Sequence, residues 1–556
     1  MELVNGNAGQ RDGIVALSPA HGEAQRAEAA DRRPLRIALF ADSKLQPHWL
    51  VSAFEKVVAS GVARIELVAY TDARASKVPW WWRLYSRVDA WCFGARADPA
   101  TLVDLTTRVA APRGFTIPDC HADLAALATW RASVSSLNLD VAFVLGDLDV
   151  RVVEGLAQHG VWRYAFGTRG DQAQGWAGIV ETLNGEPVTA CSLVARRGSG
   201  DERVVYRSWS RTHPYSVSRN RCNVVHKAAE FPLRALRALQ CAHEATLHDK
   251  PMHPIVNDRH GTGRIGALPR LGVRIAQRAL QKLCYVDQWF LAYRFGRGEG
   301  WSGDIRQYRQ LMPPKDRIWA DPFPIERNGR YFVFCEELPF AAGKGHIAMV
   351  ELSPDGAHSS PVRVLERDYH LSYPFLIELH GALYMVPETL QNRSVELYRC
   401  VDFPLRWRLE RVLMRNARYA DATFHREGGT WWMFVNMGFE GAEAYDELHA
   451  FHADSLSGEW RPHAANPVKS DVRSARPAGR LFRRDGALYR PGQICAPLYG
   501  SGVSINRVVQ LSARAYVEEE VERIVPAADS GILGVHTVNR AGELSVLDAF
   551  ARRARL

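Results

Sequence analysis

Carboxylate and amide side chains recur at matching positions in four segments of the C-terminal half of the chain. The segments align on four glycines, Gly329, Gly381, Gly429 and Gly486. The residues seven positions after these glycines are Glu336, Glu388, Asn436 and Gln493. Asp321 and Asp421 lie eight positions before the first and third glycines. Hydrophobic packing does not select carboxylates and amides at equivalent positions, so we predict that these side chains share one polar site. Paired carboxylates can exchange protons with a sugar at a glycosidic bond.

The four segments have the form of hairpin repeats. Each has a short apolar strand, a polar turn that ends in the glycine, and a second strand rich in aromatic residues, such as 331–334 or 431–434. The glycines are about 50 residues apart, which is typical of the blades of a β-propeller. Because the innermost strand of every blade lines the central channel, polar residues from distant repeats converge there. We therefore predict that the polar site lies in a propeller channel.

We assign candidate catalytic roles to Asp321, Glu388 and Asp421. The candidates for substrate binding are Glu336, Asn436, Arg476, Arg480 and Gln493. Arg473, Arg476 and Arg480 lie beside the fourth segment, and arginine forks suit the phosphate or carboxylate groups of an anionic ligand. The alternative is that the carboxylates bind backbone amides or arginines and hold the blades together. Both interpretations stay open at this point.

The propeller region resembles two known families. The motif Trp-Ala-Asp-Pro-Phe at 319–323 and its echoes are similar to the five-bladed propellers of glycoside hydrolases that act on furanosides and arabinosides. They are more similar to the propeller domain at the N-terminus of plant glucosamine inositolphosphorylceramide transferase. The resemblance covers residues 286–545 and implies an all-β propeller of five blades.

The resemblance also implies roles for three carboxylates. In the hydrolases an Asp in an early Asp-Pro element is the base or nucleophile, another Asp tunes a pKa, and a Glu from a later blade is the acid. Asp321 matches the first, Glu388 is the plausible acid and Asp421 is the plausible third carboxylate. The second repeat departs from this pattern, because Tyr373 stands where an Asp is expected. The residues around Glu388 also match the hydrolase pattern only loosely.

Strands alternate with helices in the N-terminal part of the chain. Apolar runs at 35–40, 64–70 and 139–146 predict buried strands, and the pattern over 48–60 predicts a helix. This alternation is typical of a parallel, doubly wound α/β sheet, whose ligands bind at the carboxyl ends of the strands. We predict an α/β domain over residues 35–230.

Two motifs in this domain resemble the formyltransferase fold of methionyl-tRNA formyltransferase and the sugar N-formyltransferases. Residues 160–165 stand where the family has Gly-x-x-Asn-x-His, and residues 185–192 stand where it has Gly-Glu-x-x-Thr-Gly-Val-Thr. Asp201 stands at the position of the family's catalytic acid. Arg163 occupies the Asn position and Ala165 occupies the His position.

Formyl transfer needs an Asn to hold the oxygen of the tetrahedral intermediate, a His to move a proton, and an Asp to orient the His. Alanine cannot move a proton, and Asp201 alone has no His to orient. We therefore expect a degenerate formyltransferase site at Arg163, Ala165 and Asp201. A domain of this kind serves as a scaffold, an interaction surface or a sugar-binding module.

The remaining regions are expected to connect or flank the two domains. Residues 231–285 contain two basic amphipathic patterns and predict a helical linker, which packs between domains or lies on a membrane surface. Residues 1–34 predict a disordered tail without a signal-peptide core, and residues 546–556 predict a C-terminal tail. No stretch of sequence is apolar enough to cross a bilayer, so we expect a soluble, cytoplasmic protein.

The net charge and the spacing of the cysteines limit which ligands and partners we expect. The net charge is +9, but the basic residues are scattered, so we expect no nucleic-acid partner. The nine cysteines include no closely spaced pair, which indicates neither a zinc site nor a disulfide scaffold. We expect no metal and no cofactor.

These residues favour a carbohydrate-active protein of polysaccharide or glycolipid biosynthesis, which acts as an enzyme on glycosidic bonds or sugar donors. Its expected partners are a sugar, a nucleotide sugar or a lipid-linked saccharide, together with other polysaccharide-assembly proteins and a peripheral membrane contact. The second interpretation is a non-catalytic saccharide-binding or scaffold protein. The third is a sugar N-formyltransferase, which the missing His argues against.

Overall fold

The computed structural model describes residues 33–71, 80–93, 101–109, 111–118, 124–167, 177–198, 201–241, 267–296, 301–302, 304–438 and 443–555. Within these ranges the chain forms two compact units, one up to residue 275 and one from residue 276 onward. None of the helices in these ranges combines the length and the apolarity that crossing a membrane requires. Most of the tail predicted over 1–34 lies outside the described residues.

A mixed sheet of seven strands forms the centre of the first unit. The strands are β1 (Leu35–Ala41), β3 (Ala63–Tyr70), β5 (Gly114–Thr116), β6 (Val141–Leu145), β7 (Val161–Phe166), β8 (Val188–Arg197) and β9 (Asp201–Arg211). Their spatial order is β5-β3-β1-β6-β7-β8-β9, and β2 (Leu45–Pro47) pairs separately with β4 (Leu102–Asp104). The first five strands of that order run parallel, whereas β8 runs antiparallel to both of its neighbours.

Helices cover both faces of this sheet. The α-helices within the described residues are α1 (His48–Ala59), α2 (Trp80–Phe93), α3 (Leu105–Arg108), α4 (Leu124–Ser135), α5 (Val180–Asn184), α6 (Val217–Ala228), α7 (Phe231–Cys241) and α8 (Ala267–Cys284). Residues of α1, α6 and α7 pack on one face, and residues of α4 pack on the other. The strands predicted at 35–40, 64–70 and 139–146 are parallel, as expected. β8 and β9 add an antiparallel hairpin, because their short connection permits no parallel crossover.

The second unit is a propeller of five blades, as predicted. Its strands are β10 (Tyr285–Phe295), β11 (Arg309–Leu311), β12 (Arg317–Arg327), β13 (Arg330–Pro339), β14 (His346–Leu352), β15 (Val362–Leu365), β16 (Ser372–Leu379), β17 (Ala382–Thr389), β18 (Ser394–Asp402), β19 (Arg406–Arg415), β20 (Arg418–Glu427), β21 (Thr430–Gly438), β22 (Glu447–Ala453), β23 (Arg461–Pro462), β24 (Lys469–Ser470), β25 (Phe482–Arg484), β26 (Ala487–Ile494), β27 (Gly502–Leu511), β28 (Tyr516–Ile524), β29 (Ile532–Gly534), β30 (Val538–Ala541) and β31 (Leu544–Ala554). Consecutive strands from β12 to β28 form four antiparallel blades.

The fifth blade joins the two ends of the propeller sequence. β10 pairs with β31 along its whole length, from Tyr285 opposite Ala554 to Phe295 opposite Leu544, and β31 also pairs with β29 and β30. The C-terminal tail expected over 546–556 is therefore wrong as far as residue 554, because alternate apolar residues such as Val546 are buried in the core of this blade.

Tight turns explain the glycines that align the repeats. The inner hairpins turn at Asn328-Gly329, His380-Gly381, Gly428-Gly429 and Asp485-Gly486, and both residues of each turn have positive φ. This is the type I′ turn that joins two strands of right-handed twist. The glycine is the residue that adopts this conformation at low cost, so it recurs in these four blades.

Gly381→Ala should lower the free energy of unfolding of the propeller by about 1 kcal/mol. Gly381 has a φ of +76° and open space around it, so the loss comes from backbone strain alone. Urea unfolding measures it. His380→Gly in the same turn should cause no loss, because it removes a β-carbon from a residue at φ +50°. Equal losses in the two variants would contradict the turn assignment.

Candidate functional site

The predicted polar residues of the second strands lie at equivalent ladder positions. Glu336 is opposite Ala320, Glu388 is opposite Ser372, and Asn436 is opposite Ala420. In the fourth blade the backbone N–H of Gln493 donates to the carbonyl of Arg476. One residue from each of four blades therefore occupies the same place in its hairpin.

The inner strands are interrupted by a bulge at this level. Asp321, Tyr373 and Asp421 have φ values of 53°, 45° and 55°, and the strand pairing shifts register at each of them. The bulge frees backbone N–H groups for other blades: that of Asp321 donates to Asp548 (2.8 Å), and that of Tyr373 donates to Asp321 (3.2 Å). Strained backbone of this kind persists where the surroundings hold it, and it is common at functional sites.

Arg476 joins two of the predicted catalytic carboxylates. Its Nε donates to Asp421 Oδ2 (2.6 Å), and its Nη2 donates to both Asp421 Oδ1 (3.2 Å) and Glu388 Oε2 (3.1 Å). The rings of Tyr445 and Tyr499 lie near the guanidinium. Burial alone would lower the pKa of Arg476, but the carboxylates, Asp421 foremost, raise it above its usual range.

Glu388 and Asp421 have different surroundings although they share Arg476. Burial, together with the Asp421 charge, raises the pKa of Glu388 well above its usual range, while Arg476 opposes this shift. The side chain of Glu388 is 10% exposed to solvent, whereas that of Asp421 is 1% exposed. Gln493 Nε2 also donates to Asp421 Oδ2 (2.9 Å), so both oxygens of Asp421 accept hydrogen bonds. Glu388 is thus the group more suited to carry a proton.

Buried polar atoms without hydrogen-bond partners lie at two further predicted positions. Among the described residues, these include Glu336 Oε1 and both amide atoms of Asn436. His370 Nε2 is 3.4 Å from Glu336 Oε1, and His370 Nδ1 accepts a hydrogen bond from the N–H of Gly345. Burial and Arg476 lower the pKa of His370 to about 4, so its ring is neutral with the proton on Nε2. Burial and the neighbouring carboxylates, Asp321 first, raise the pKa of Glu336 well above its usual range.

Asp321 is held by residues of the fifth blade. Its Oδ1 accepts a hydrogen bond from Thr537 Oγ1 (2.7 Å) and lies 3.4 Å from His536 Nε2. His536 Nδ1 is 2.7 Å from Asp548 Oδ2. Burial raises the pKa of Asp321 to about 6, with His536 opposing the shift. Burial alone would lower the pKa of His536, but Asp548 and Asp321 raise it.

Asp321, His536 and Asp548 also form a cluster whose geometry could hold a metal ion, the one such group within the described ranges. One ligand atom from each lies within 4.8 Å of the others. However, Asp548 accepts hydrogen bonds from the backbone N–H groups of Asp321, His536 and Thr537. A metal ligand must be a neutral imidazole, whereas the two carboxylates favour a charged His536. The residues fit a shared proton better than a metal ion.

Tyr373 occupies the position where the sequence pattern expects an Asp, and it connects three blades. Its hydroxyl lies 2.8 Å from Thr423 Oγ1 and accepts a hydrogen bond from the N–H of Gly479 (2.8 Å). Its ring makes an edge contact with Phe323. Tyr373 is therefore a packing and hydrogen-bonding residue that links neighbouring blades.

The three arginines predicted to bind an anionic ligand already have partners. Arg476 is neutralised as described, and Arg473 pairs with Asp471 (2.7 Å). Arg480 lies over the rings of Phe323 and Phe375, and burial lowers its pKa to about 10. An anion would have to compete with these contacts to bind here.

The residues at two of the degenerate formyltransferase positions make contacts that stabilise the fold. Arg163 on β7 makes two hydrogen bonds to Glu202 on β9, at 2.8 and 3.0 Å. Ala165 is buried with Val194 and Val204. Asp201 begins β9, and its side chain lies outside the described residues. A salt bridge and an apolar cluster therefore occupy the Asn and His positions of the motif.

The sequence reasoning missed His370, His536 and Asp548. Asp548 follows Gly542 by six residues, so alignment at seven residues does not reveal it. A carboxylate inside the apolar run 546–550 is the signal that could have identified it, since a buried charge needs a partner. His536 lies in a similar run of small and apolar residues.

Arg476→Met should lower the free energy of unfolding by about 3–5 kcal/mol, because it leaves the carboxylate of Asp421 buried without its countercharge. Urea unfolding of the propeller measures the change. Arg483→Met is the control, because Arg483 on β25 pairs at the surface with Glu427 on β20 of the preceding blade, and this variant should lose at most about 1 kcal/mol. Similar losses would contradict the role of Arg476.

Glu336→Gln should raise the melting temperature more at pH 8 than at pH 5. The folded state binds the Glu336 proton more tightly than the unfolded state, so stability falls as the pH rises above the ordinary pKa of 4.5. Gln mimics the protonated side chain and removes this loss. The exposed Glu378→Gln is the control. A difference for Glu336→Gln that does not change with pH would rule out this protonation.

Part of the propeller matches a protein family. Residues 312–542 match the family model described as Glucosamine inositolphosphorylceramide transferase 1, N-terminal. Glucosamine inositolphosphorylceramide transferase 1 of Arabidopsis thaliana is 34% identical over 215 residues, covering 38% of this chain and 28% of that protein. The protein of the same name from Oryza sativa subsp. japonica is 33% identical over 216 residues, covering 38% and 29%. The chain therefore spans less than a third of the length of these curated relatives.

Solved structures of glycoside hydrolases are also similar to this chain, at low identity. Zg3597, a family 117 glycoside hydrolase of Zobellia galactanivorans, is 12% identical with a TM-score of 0.31, covering 47% of this chain and 90% of that chain. An exo-1,5-α-L-arabinanase from a bovine ruminal metagenomic library is 15% identical with a TM-score of 0.30, covering 42% and 93%.

Proposed function

We propose that the propeller binds a saccharide at the level of the bulges and acts on a glycosyl bond there, with Glu388 as the proton donor. The observation that carries this proposal is the shared contact of Glu388 and Asp421 with Arg476 Nη2. One of these two groups favours its proton, and the other accepts hydrogen bonds on both oxygens. Paired carboxyl groups with different surroundings are the usual basis for dividing acid and base roles.

The chemistry follows from this division. Cleaving or transferring a glycosyl group requires an acid that protonates the leaving oxygen and a carboxylate that stabilises or captures the oxocarbenium-like sugar. Burial and the neighbouring charge of Asp421 raise the pKa of Glu388 well above its usual range, which favours its protonated form. The oxygens of Glu388 and Asp421 lie 3.1 and 3.2 Å from one nitrogen, so they are closer together than the roughly 6.5–9.5 Å that an inverting pair uses to admit water. The spacing favours capture or stabilisation of the sugar by Asp421.

The family match supports the class of substrate. The matched relatives are named as transferases that act with glucosamine and inositolphosphorylceramide, and this chain shares only their N-terminal region. We extend to this chain a sugar, nucleotide-sugar or lipid-linked saccharide substrate in glycolipid or polysaccharide biosynthesis. The first unit would contribute binding rather than formyl transfer, since Arg163 pairs with a carboxylate and Ala165 lies in an apolar cluster.

A non-catalytic saccharide-binding protein is the second candidate. It is favoured by the burial of Asp321 and Asp421, whose side chains are 5% and 1% exposed and bond to other blades. Carboxylates in such contacts stabilise the propeller whether or not a sugar reacts. The two candidates differ in whether Glu388 is needed for turnover or only for binding.

Glu388→Gln should reduce turnover by about 10²–10⁴-fold, which is the usual contribution of a general acid. Gln keeps the shape of the side chain but cannot donate the proton. The assay measures glycosyl release or transfer from a panel of nucleotide sugars and aryl glycosides, and calorimetry measures binding of the same sugars.

Glu378→Gln is the matched control, because Glu378 is an exposed carboxylate on the same blade. It should keep wild-type turnover. Wild-type protein that binds a saccharide but turns over no donor would assign the second candidate instead. Turnover that Glu388→Gln leaves unchanged would reject Glu388 as the acid.

A further inference from the structure

One side of α8 is apolar and exposed to solvent. Val273, Leu280 and Leu283 are 56%, 62% and 75% exposed, and Ala276 is also exposed. These four residues follow one another at spacings of three or four positions, so they lie along one side of the helix. An amphipathic helix normally buries such a stripe against the protein.

The opposite side of α8 holds the helix in place. Leu271 is buried with Ile179, Leu183 and Val217. Arg274 Nη2 donates to the carbonyl oxygens of Thr182 and Leu183, at 2.5 and 3.2 Å. Arg278 lies 3.5 Å from the carboxylate of Asp287. Arg274 and Arg278 therefore face protein, whereas Arg270 and the apolar side of the helix are exposed.

The charge of α8 indicates what covers its apolar side. The helix carries Arg270, Arg274, Arg278 and Lys282 and has no acidic residue, and the first and last of these are exposed. A second copy of the same face would bring like charges together. Helices with an apolar stripe and flanking cations are typical of membrane surfaces that contain anionic lipids.

The neighbouring helix α2 also exposes apolar side chains. α2 packs against the first half of α8 through Tyr85, which contacts the cluster that contains Leu271. α2 also exposes Leu84, Val88 and Trp91 at a spacing of three or four positions, and Trp91 is 84% exposed. Tryptophan is enriched at the boundary between lipid headgroups and acyl chains.

We propose that α8 is an interfacial helix that docks this protein on an anionic membrane surface. Val273, Ala276, Leu280 and Leu283 enter the boundary between headgroups and acyl chains, and Arg270 lies at the level of the lipid phosphates. The contacts of Arg274 and Arg278 keep the helix oriented before it reaches the lipid. This inference stands on α8 itself and does not depend on the reaction proposed for the propeller.

Co-sedimentation of the full chain with vesicles tests the proposal. Vesicles of phosphatidylcholine with about 30% phosphatidylserine should bind the protein, and pure phosphatidylcholine should bind it more weakly, because anionic lipid attracts basic segments. Leu280→Glu combined with Leu283→Glu should weaken binding at least tenfold. Both positions are exposed, so the fold should tolerate the change.

Val401→Glu combined with Leu405→Glu is the matched control, because these residues are exposed apolar side chains of the propeller. This variant should bind the vesicles like the wild type. Wild-type protein that fails to bind either vesicle would overturn the proposal, as would equal binding by the two double variants. If Leu280→Glu with Leu283→Glu instead converted a dimer into a monomer in light scattering without vesicle binding, the face would belong to a second copy.

Discussion

The contacts of Arg476 set the charge balance at the centre of the propeller. Five buried or nearly buried carboxyl groups meet there: Asp321, Glu336, Glu388, Asp421 and Asp548. Arg476 and His536 supply the positive charge among the described residues of this cluster. Burial and the neighbouring carboxylates raise the pKa values of Glu336 and Glu388, which lowers the negative charge of the cluster. The carboxyl groups also differ in how closely each one contacts these two cations. Asp421 has the closest contact with the guanidinium, and Glu388 has one hydrogen bond to it. Glu336 Oε1 is buried without a hydrogen-bond partner.

The sequence was informative where a local conformation demands a particular residue. The type I′ turns require positive φ, so Gly329 and its counterparts mark each hairpin, and alignment on them located Glu336, Glu388 and Asn436 at equivalent ladder positions. The catalytic roles given to Asp321, Glu388 and Asp421 stay predictions. The pattern could not find His536 and Asp548, because the last hairpin turns with a different spacing and its blade is completed by β10 from the other end of the propeller.

The sequence also could not predict pairs of side chains that lie on different strands. The sequence placed Arg476 beside the fourth blade. That Arg476 binds Asp421 and not a ligand depends on how different blades pack together. In the first unit, the apolar runs predicted β1, β3 and β6 within one or two residues. Arg163 and Glu202 lie on strands separated by β8, so their salt bridge follows from the sheet order and not from any local motif.

The closure of the propeller by β10 and β31 determines when the site can form during synthesis. β10 is the first strand of the propeller to be translated, and β31 is the last. Asp548 lies opposite Leu291 in this pairing, and it holds the backbone of Asp321 and the ring of His536. A nascent chain that has completed four blades therefore contains Glu388, Asp421 and Arg476 but lacks Thr537, His536 and Asp548, the partners of Asp321 from the fifth blade. The carboxylate cluster is completed only when the two ends of the ring meet, so a partly translated chain cannot carry a finished site.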